Sequence, residues 1–344
     1  MEDFCKLNWR KTSISDLESL QKCALNNDFF ANNYGAVNSV LYQKKYNAEI
    51  SLDGGYFFEK LNFEGLSYFA FPHKLEPDVT LPGQNDSLTG TDFEEIKSAV
   101  LRLAEEAKKF GGPLVFENIT AIEKDTLVKI FPHAKVTASP NFADYIYRTE
   151  DLALLSGKKY SKKRKHIHQF QNKYSDFSFA LLNESNFDCV REVEEKWLEE
   201  NADFARSNGT LPDLEAERKI IFYALENFDA FSKSCGMTGG LLFVSGNPVA
   251  FCIASLLSGR VTDIHFEKCL YSFGRDGGYA VINNEFAKTA STEFLNREED
   301  LGIEGLRKAK LSYYPEQVLE KYLVEITFGG CVHASSCIPL DCSR

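Results

Sequence analysis

The chain has 344 residues, 44% hydrophobic and 13% aromatic, which is long for one domain and comfortable for two with full-sized cores. A formal net charge of −11 sets the surface as a whole against nucleic acid and anionic lipid, so a polyanionic partner needs a local basic patch. The longest apolar run, Val249 to Leu257, falls far short of the roughly 20 residues that cross a bilayer, so no transmembrane segment is expected.

In chain order, Ser13 to Cys23 reads as a helix with Ser15 as its cap. Tyr56–Phe58 and Leu66–Phe71 read as strands paired across a turn at Asn62 to Gly65, and Leu81 to Asp86 as loop. Thr91-Asp92-Phe93-Glu94 is a capping box opening a helix to about Phe110, closed by Gly111-Gly112-Pro113. A strand at Leu114 to Glu117, a helix at Ala121 to Ile130 and a strand at Tyr145 to Tyr147 complete the first half. The expected boundary lies near Leu155-Ser156-Gly157, giving domains 1–155 and 156–330.

Just past it comes the dense positive segment of an acidic protein: Lys158, Lys159, Lys162, Lys163, Arg164 and Lys165, followed by His166 and His168. At helical spacing Lys158, Lys162 and Lys165 share a face, with Lys159, Lys163 and His166 beside them. Such a cluster serves either as a polyanion patch, with tRNA as a candidate partner, or as a solvated junction helix.

The second half predicts a strand at Phe177 to Leu182, helices at Phe187 to Glu200 and Leu214 to Phe228, and a hairpin of Gly240–Val244 and Val249–Leu257 turning at Ser245 to Pro248. Val261 to Leu270 alternates as a strand whose one face carries Asp263, His265, Glu267 and Cys269. Three ionisable groups in succession on one face place it against solvent or a cleft. Arg275-Asp276-Gly277-Gly278-Tyr279-Ala280 follows, fitting the R-x-x-G-x-A phosphate loop of acetyltransferases, and the next helix carries Val281, Ile282, Phe286 and Ala290 as its apolar stripe. Glycine permits close approach of an anion to the backbone, and the helix start presents unpaired N–H groups. This element order is that of an α/β, mixed-sheet, acetyltransferase-like domain.

The tail, 331–344, is rich in Gly, Ser and Cys and is expected to be poorly ordered; its three cysteines and His333 do not make a convincing metal set. Nine scattered cysteines without a C-x-x-C pair, and an opening MEDFCKLNWR without an apolar core, point to reduced thiols and a cytoplasmic protein.

Asp144-Tyr145-Ile146-Tyr147, the Gly157 to Arg164 run, His265-Phe266-Glu267-Lys268, Tyr279 with Ile282-Asn283, and the long Asn296 to Lys310 motif resemble a family of soluble bacterial proteins. That family is similar to the catalytic C-terminal domain of phosphatidylglycerol lysyltransferase, over roughly residues 20 to 325. The resemblance implies two acetyltransferase-like domains in tandem, as in transferases that take amino acids from aminoacyl-tRNA. It also implies that Tyr313 or Tyr314 protonates a leaving group. The expected activity is therefore acyl or aminoacyl transfer by the second domain, with aminoacyl-tRNA or acyl-CoA as donor, a small-molecule acceptor and no metal. Glu267, with Asp263 or His265 nearby, is the expected general base. Arg275, Gly277, Gly278 and Ala280 are expected at the donor phosphate or oxyanion. Asn296, Arg297, Asp300, Arg307, Lys308 and Lys310 are expected at an anionic or amine-bearing group. A plain acetyl-CoA-dependent N-acetyltransferase and a non-catalytic RNA- or partner-binding protein are the alternatives.

Overall fold

The computed structural model describes residues 6–63, 65–76 and 90–328. Its described residues divide into two compact units, those up to Asp144 with those from Leu319 onward, and Tyr145–Val318. Each is α/β, built on one mixed sheet. The expected boundary near 155 moves upstream because the strand Asp144–Arg148 pairs with Phe294–Asn296 of the second sheet. Leu319 onward returns to the first unit because Tyr322–Ile326 inserts between Leu114–Ile119 and Lys135–Ala138.

In the first unit the sheet runs, in spatial order, Arg10–Lys11, Glu49–Asp53, Tyr56–Phe63, Leu66–Phe69, Leu114–Ile119, Tyr322–Ile326 and Lys135–Ala138, with His73–Lys74 beside Tyr56 and Phe57. The helix Gly90–Lys109 lays Ile96, Ala99, Val100, Leu103, Ala104 and Ala107 on Phe58, Phe69, Leu114 and Phe116, the stripe its spacing dictates. At the other predicted helix the cap is Ser13 instead of Ser15. Its N–H donates to Asp16 Oδ2 at 2.9 Å, and a 3₁₀ turn, Ile14–Asp16, leads into Leu17–Asn27. The loop expected at 81–86 and the tail lie outside the described residues.

The second sheet runs Gln317–Leu319, Asp144–Arg148, Phe294–Asn296, Val261–Cys269, Asn247–Leu256, Thr238–Val244, Ser178–Leu181. The hairpin turns at Ser245 and Gly246, both at positive φ, the two-residue turn whose twist matches paired strands. Val261–Asp263 pairs in parallel with Phe294–Asn296 for three rungs, and the pairing stops there. The helix Gly278–Ala287 connects these two strands, burying Val281, Ile282 and Phe286 on Ala250, Cys252, Ile264 and Leu295. Where pairing ends, side chains from both strands have room to meet.

Candidate active site

The strand Val261–Cys269 does not keep its alternation. Ile253 opposes Phe266 while Ala254 opposes Ile264, so His265 is the extra residue of a β-bulge. The three ionisable residues divide around it. Asp263 and His265 turn to Glu298: His265 Nδ1 lies 3.6 Å from Asp263 Oδ2 and 3.3 Å from Glu298 Oε1, and its Nε2 lies 2.7 Å from Ser255 Oγ. Ser255 is the lone hydroxyl in the apolar run Val249 to Leu257, and that isolation is the sequence signal by which it could have been found.

Glu267 turns instead to Arg297. Arg297 Nη2 donates to Glu267 Oε1 at 2.8 Å, and Asn283 Nδ2 donates to Oε2 at 3.3 Å. Both partners of the ion pair are 12% exposed at the side chain, and Arg297 Nη1 is buried without a hydrogen-bond partner. An unmatched guanidinium N–H in a buried site is costly unless something else accepts it. The guanidinium lies 5.0 Å from the ring of Tyr313 and 5.7 Å from that of Tyr147. Burial raises the Tyr313 phenol well above its ordinary value, which keeps it a proton donor.

Lys163 joins this group. Its Nζ sits 3.5 Å from the Tyr313 ring centroid and donates to Ser312 Oγ at 2.6 Å. Burial, reinforced by the positive charge of Arg297 and opposed by Glu267, brings its pKa down to about 8. The expected patch is thereby split. Lys158, Lys159, Lys162 and Lys165 are exposed, with Lys159 paired to Asp151 at 3.2 Å; Arg164 caps the carbonyls of Leu155 and Gly157. The helix itself begins at Ser161, so Lys158 and Lys159 precede it. A recess lined by Leu155, Arg164, Ile167, His168, Asn284 and Lys288 flanks this helix, apart from the Glu267–Arg297 pair.

The expected phosphate loop has the predicted local form: a short helix Tyr271–Arg275, then Gly277 at φ 110° capping the helix Gly278–Ala287. Its glycines are accounted for by packing. A Cβ on Gly277 would lie 2.5 Å from the His166 carbonyl oxygen, and one on Gly278 would lie 2.6 Å from Cys269 Sγ and 2.9 Å from the Phe273 carbonyl oxygen. Asp276 is tied to Lys173 at 2.6 Å and to the Tyr174 hydroxyl at 2.7 Å.

Most of the charged motif 296–310 serves the fold. Asp300 is fully buried and accepts from Tyr145 OH at 2.6 Å, Gly302 N at 2.8 Å, Arg307 Nε at 2.7 Å and Arg307 Nη2 at 2.8 Å. Lys310 Nζ donates to the carbonyls of Arg297 at 2.5 Å, Glu298 at 3.2 Å and Glu299. Asn296 Oδ1 accepts from Glu298 N at 2.7 Å. These bonds hold Glu298 and Leu301 in the left-handed region, at φ 52° each, and so aim Arg297 and Glu298. Lys308 is exposed, away from this network. Of the expected anion set, only Arg297 faces Glu267, Tyr313 and Lys163 together.

A parallel strand pair that parts around a buried Arg–Glu pair, with a glycine turn and helix between the two strands, is the mixed α/β arrangement that the sequence led us to expect of this second unit. Residues 89–325 match the family described as phosphatidylglycerol lysyltransferase, C-terminal, and the chain belongs to that family. Among solved structures it is similar to a conserved protein of unknown function from Bacteroides thetaiotaomicron, with a TM-score of 0.81 and 29% identity over 93% of this chain and 100% of that one. The C-terminal domain of a protein described as a lysylphosphatidylglycerol synthetase of Agrobacterium fabrum matches with a TM-score of 0.58 and 13% identity, over 91% of this chain and 93% of that one. L-PGS from Bacillus licheniformis matches equally, over 90% of each chain, and at this identity both share the fold alone. An uncharacterised protein of Mycoplasmoides gallisepticum is 23% identical over 184 residues, 53% of this chain; the chain spans 56% of that relative's length. Among the described residues no helix is long and apolar enough to cross a membrane.

Proposed function

We propose that the second unit transfers an aminoacyl group from aminoacyl-tRNA to an amine or hydroxyl acceptor. The observation that carries this reading is the convergence of Arg297, with its unmatched buried Nη1, on Lys163, Tyr313 and Glu267. In the reaction the acceptor nitrogen or oxygen bonds to the ester carbonyl carbon, the ester C–O bond breaks, and the acceptor's proton ends on the departing ribose oxygen. Arg297 Nη1 supplies the N–H for the carbonyl oxygen as it gains charge. Tyr313 protonates the departing oxygen, and Lys163, which is partly neutral at pH 8, takes the acceptor's proton and returns one to the Tyr313 phenolate, so that both groups regain their starting states. Glu267, held by Arg297 and Asn283, orients the acceptor, replacing the expected role of general base. The exposed Lys158, Lys162 and Lys165 then guide the tRNA phosphates. Family membership supports the lysyl class of donor and a phosphatidylglycerol acceptor. The packing of the 275–280 loop against His166, Lys173 and Tyr174 leaves the acetyl-CoA reading without a favouring observation.

The test is to incubate the full chain with radiolabelled lysyl-tRNA and either phosphatidylglycerol vesicles or a soluble amine, and to follow label leaving the tRNA. Transfer to either acceptor is expected, with loss of most of it in Arg297→Lys. Acetylation of an amine from acetyl-CoA, with every aminoacyl-tRNA inert, would overturn the reading in favour of the acetyltransferase. Binding of tRNA without turnover would favour a non-catalytic RNA-binding protein.

A further inference from the structure

We propose that Asp263, His265 and Glu298 form a site for a divalent metal ion, Zn²⁺ above all. Asp263 and His265 stand two residues apart on the strand Val261–Cys269 and Glu298 on the loop after Phe294–Asn296, and one ligand atom from each lies within 4.8 Å of the others. Of the separations from Nδ1, 3.3 Å to Glu298 is within hydrogen-bond range and 3.6 Å to Asp263 is beyond it, and one N–H cannot serve both carboxylates. Both separations suit a shared ion. Zinc bonds of about 2.0–2.1 Å to nitrogen and oxygen give a tetrahedron with edges of about 3.3–3.4 Å.

Three further features fit an ion at this point. The Ser255 hydroxyl lies 2.7 Å from His265 Nε2, the placement that lets Nε2–H donate outward while the Nδ1 lone pair faces the carboxylates, as a metal-bound imidazole requires. Asp263 and His265 are 1% exposed at the side chain and Glu298 14%, so two carboxylates are being desolvated together. A divalent cation neutralises both and removes much of the cost of burying them. The ligands also stand on a stiff frame. Asp263 and Asn296 form the last rung of the parallel strand pair, and Asn296 in turn holds the Glu298 backbone. One nitrogen and two carboxylate oxygens, without sulfur, select zinc, cobalt or manganese over copper(I) or an iron–sulfur cluster.

Three protein ligands leave a fourth position for water or substrate. The ion would tie the strand Val261–Cys269 to the loop after Phe294–Asn296 at the point where their pairing ends. It would thereby fix Glu298 and, next to it, Arg297.

The experiment uses the full chain, stripped with a chelator and titrated with Zn²⁺ by calorimetry and with Co²⁺ by visible absorption. One equivalent of each is expected, with the intense d–d bands of four-coordinate cobalt. Glu298→Gln and His265→Gln should abolish the bands, Ser255→Ala should weaken binding by about tenfold through the lost orienting contact, and Glu304→Gln on the exposed following helix should leave binding intact. Circular dichroism of each variant separates loss of ligand from loss of fold. If either ligand variant fails to fold, the Ser255→Ala affinity and the cobalt bands of the unaltered chain decide. Absence of heat and bands in the unaltered chain, or binding that Glu298→Gln leaves unchanged, would overturn the proposal.

Discussion

Lys163 stands on the basic helix but does not share the solvent with its neighbours. Its ammonium lies on the face of Tyr313, close enough to Arg297 that a second positive charge is resisted. A group with its pKa lowered to about 8 is protonated below that pH and increasingly neutral above it. An NMR titration of isotopically labelled lysine side chains should show one resonance with a midpoint near pH 8. That resonance should be absent in Lys163→Arg, and if transfer activity rises with pH, the same substitution should remove the rise. Arg297 makes the complementary prediction. Arg297→Met leaves Glu267 buried without its partner and should cost about 3–5 kcal/mol in chemical denaturation. Adding Glu267→Gln should recover a large part of that loss, since the stranded charge is gone; a double-variant loss equal to the sum of the two single losses would show that the pair is not coupled.

At the scale of elements, the glycine turn ahead of the helix Gly278–Ala287 is a packing device first. A methyl at Gly278 meets Cys269 Sγ and the Phe273 carbonyl inside ordinary contact distance, so Gly278→Ala should destabilise by about 1–3 kcal/mol, and Gly278→Val by more. Thermal unfolding reads this directly, and a variant as stable as the parent would restore the turn to a purely ligand-binding role. The strand Val261–Cys269, the turn and the helix are all legible in the sequence because alternation, glycine and 3.6-residue spacing are local signals. The bulge at His265 is not legible. It is set by pairing with Ile253 and Ala254, and it alone decides that Asp263 and His265 part company with Glu267. The 296–310 motif misleads for a related reason. Arg307 and Lys310 have the charge and spacing of an anion site, yet Arg307 is clamped on Asp300 through Nε and Nη2 and Lys310 on three backbone carbonyls, contacts that only the folded loop creates. Likewise the six basic residues between 158 and 165 form one run on paper, while burial takes Lys163 out of it.

For the whole molecule, an excess of 11 negative charges makes any grip on a polyanion depend on few residues and on salt. Replacing the exposed Lys158, Lys162 and Lys165 with Glu should lower the magnitude of the log–log salt slope for tRNA binding by about 2, at about 0.7 per phosphate contact. The first unit carries a different liability. Burial raises Glu117 to about 8 and Glu59 to about 7, and Glu117 Oε1 has no hydrogen-bond partner. A carboxyl raised in the folded state binds its proton more tightly there than in the unfolded chain, so its contribution is intact below about pH 4.5 and is lost as pH rises through 7 to 8. The unfolding temperature of this unit should therefore fall between pH 5 and pH 8.5. Glu117→Gln should flatten the fall without abolishing it, because Glu59 remains.

The strand Tyr322–Ile326 sits inside the first sheet, between Leu114–Ile119 and Lys135–Ala138, although the whole second unit precedes it in the chain. Lys321, beside it, is buried against Asp144 at 2.6 Å and Asn32 at 2.5 Å. On the ribosome the early residues must therefore wait. The second unit can complete its sheet first, while the N-terminal stretch holds an open seam between two unpaired strand edges until residue 326 has emerged. Order of synthesis and order of completion are reversed, and a nascent chain stalled short of that strand presents the seam to whatever edge or chaperone is near.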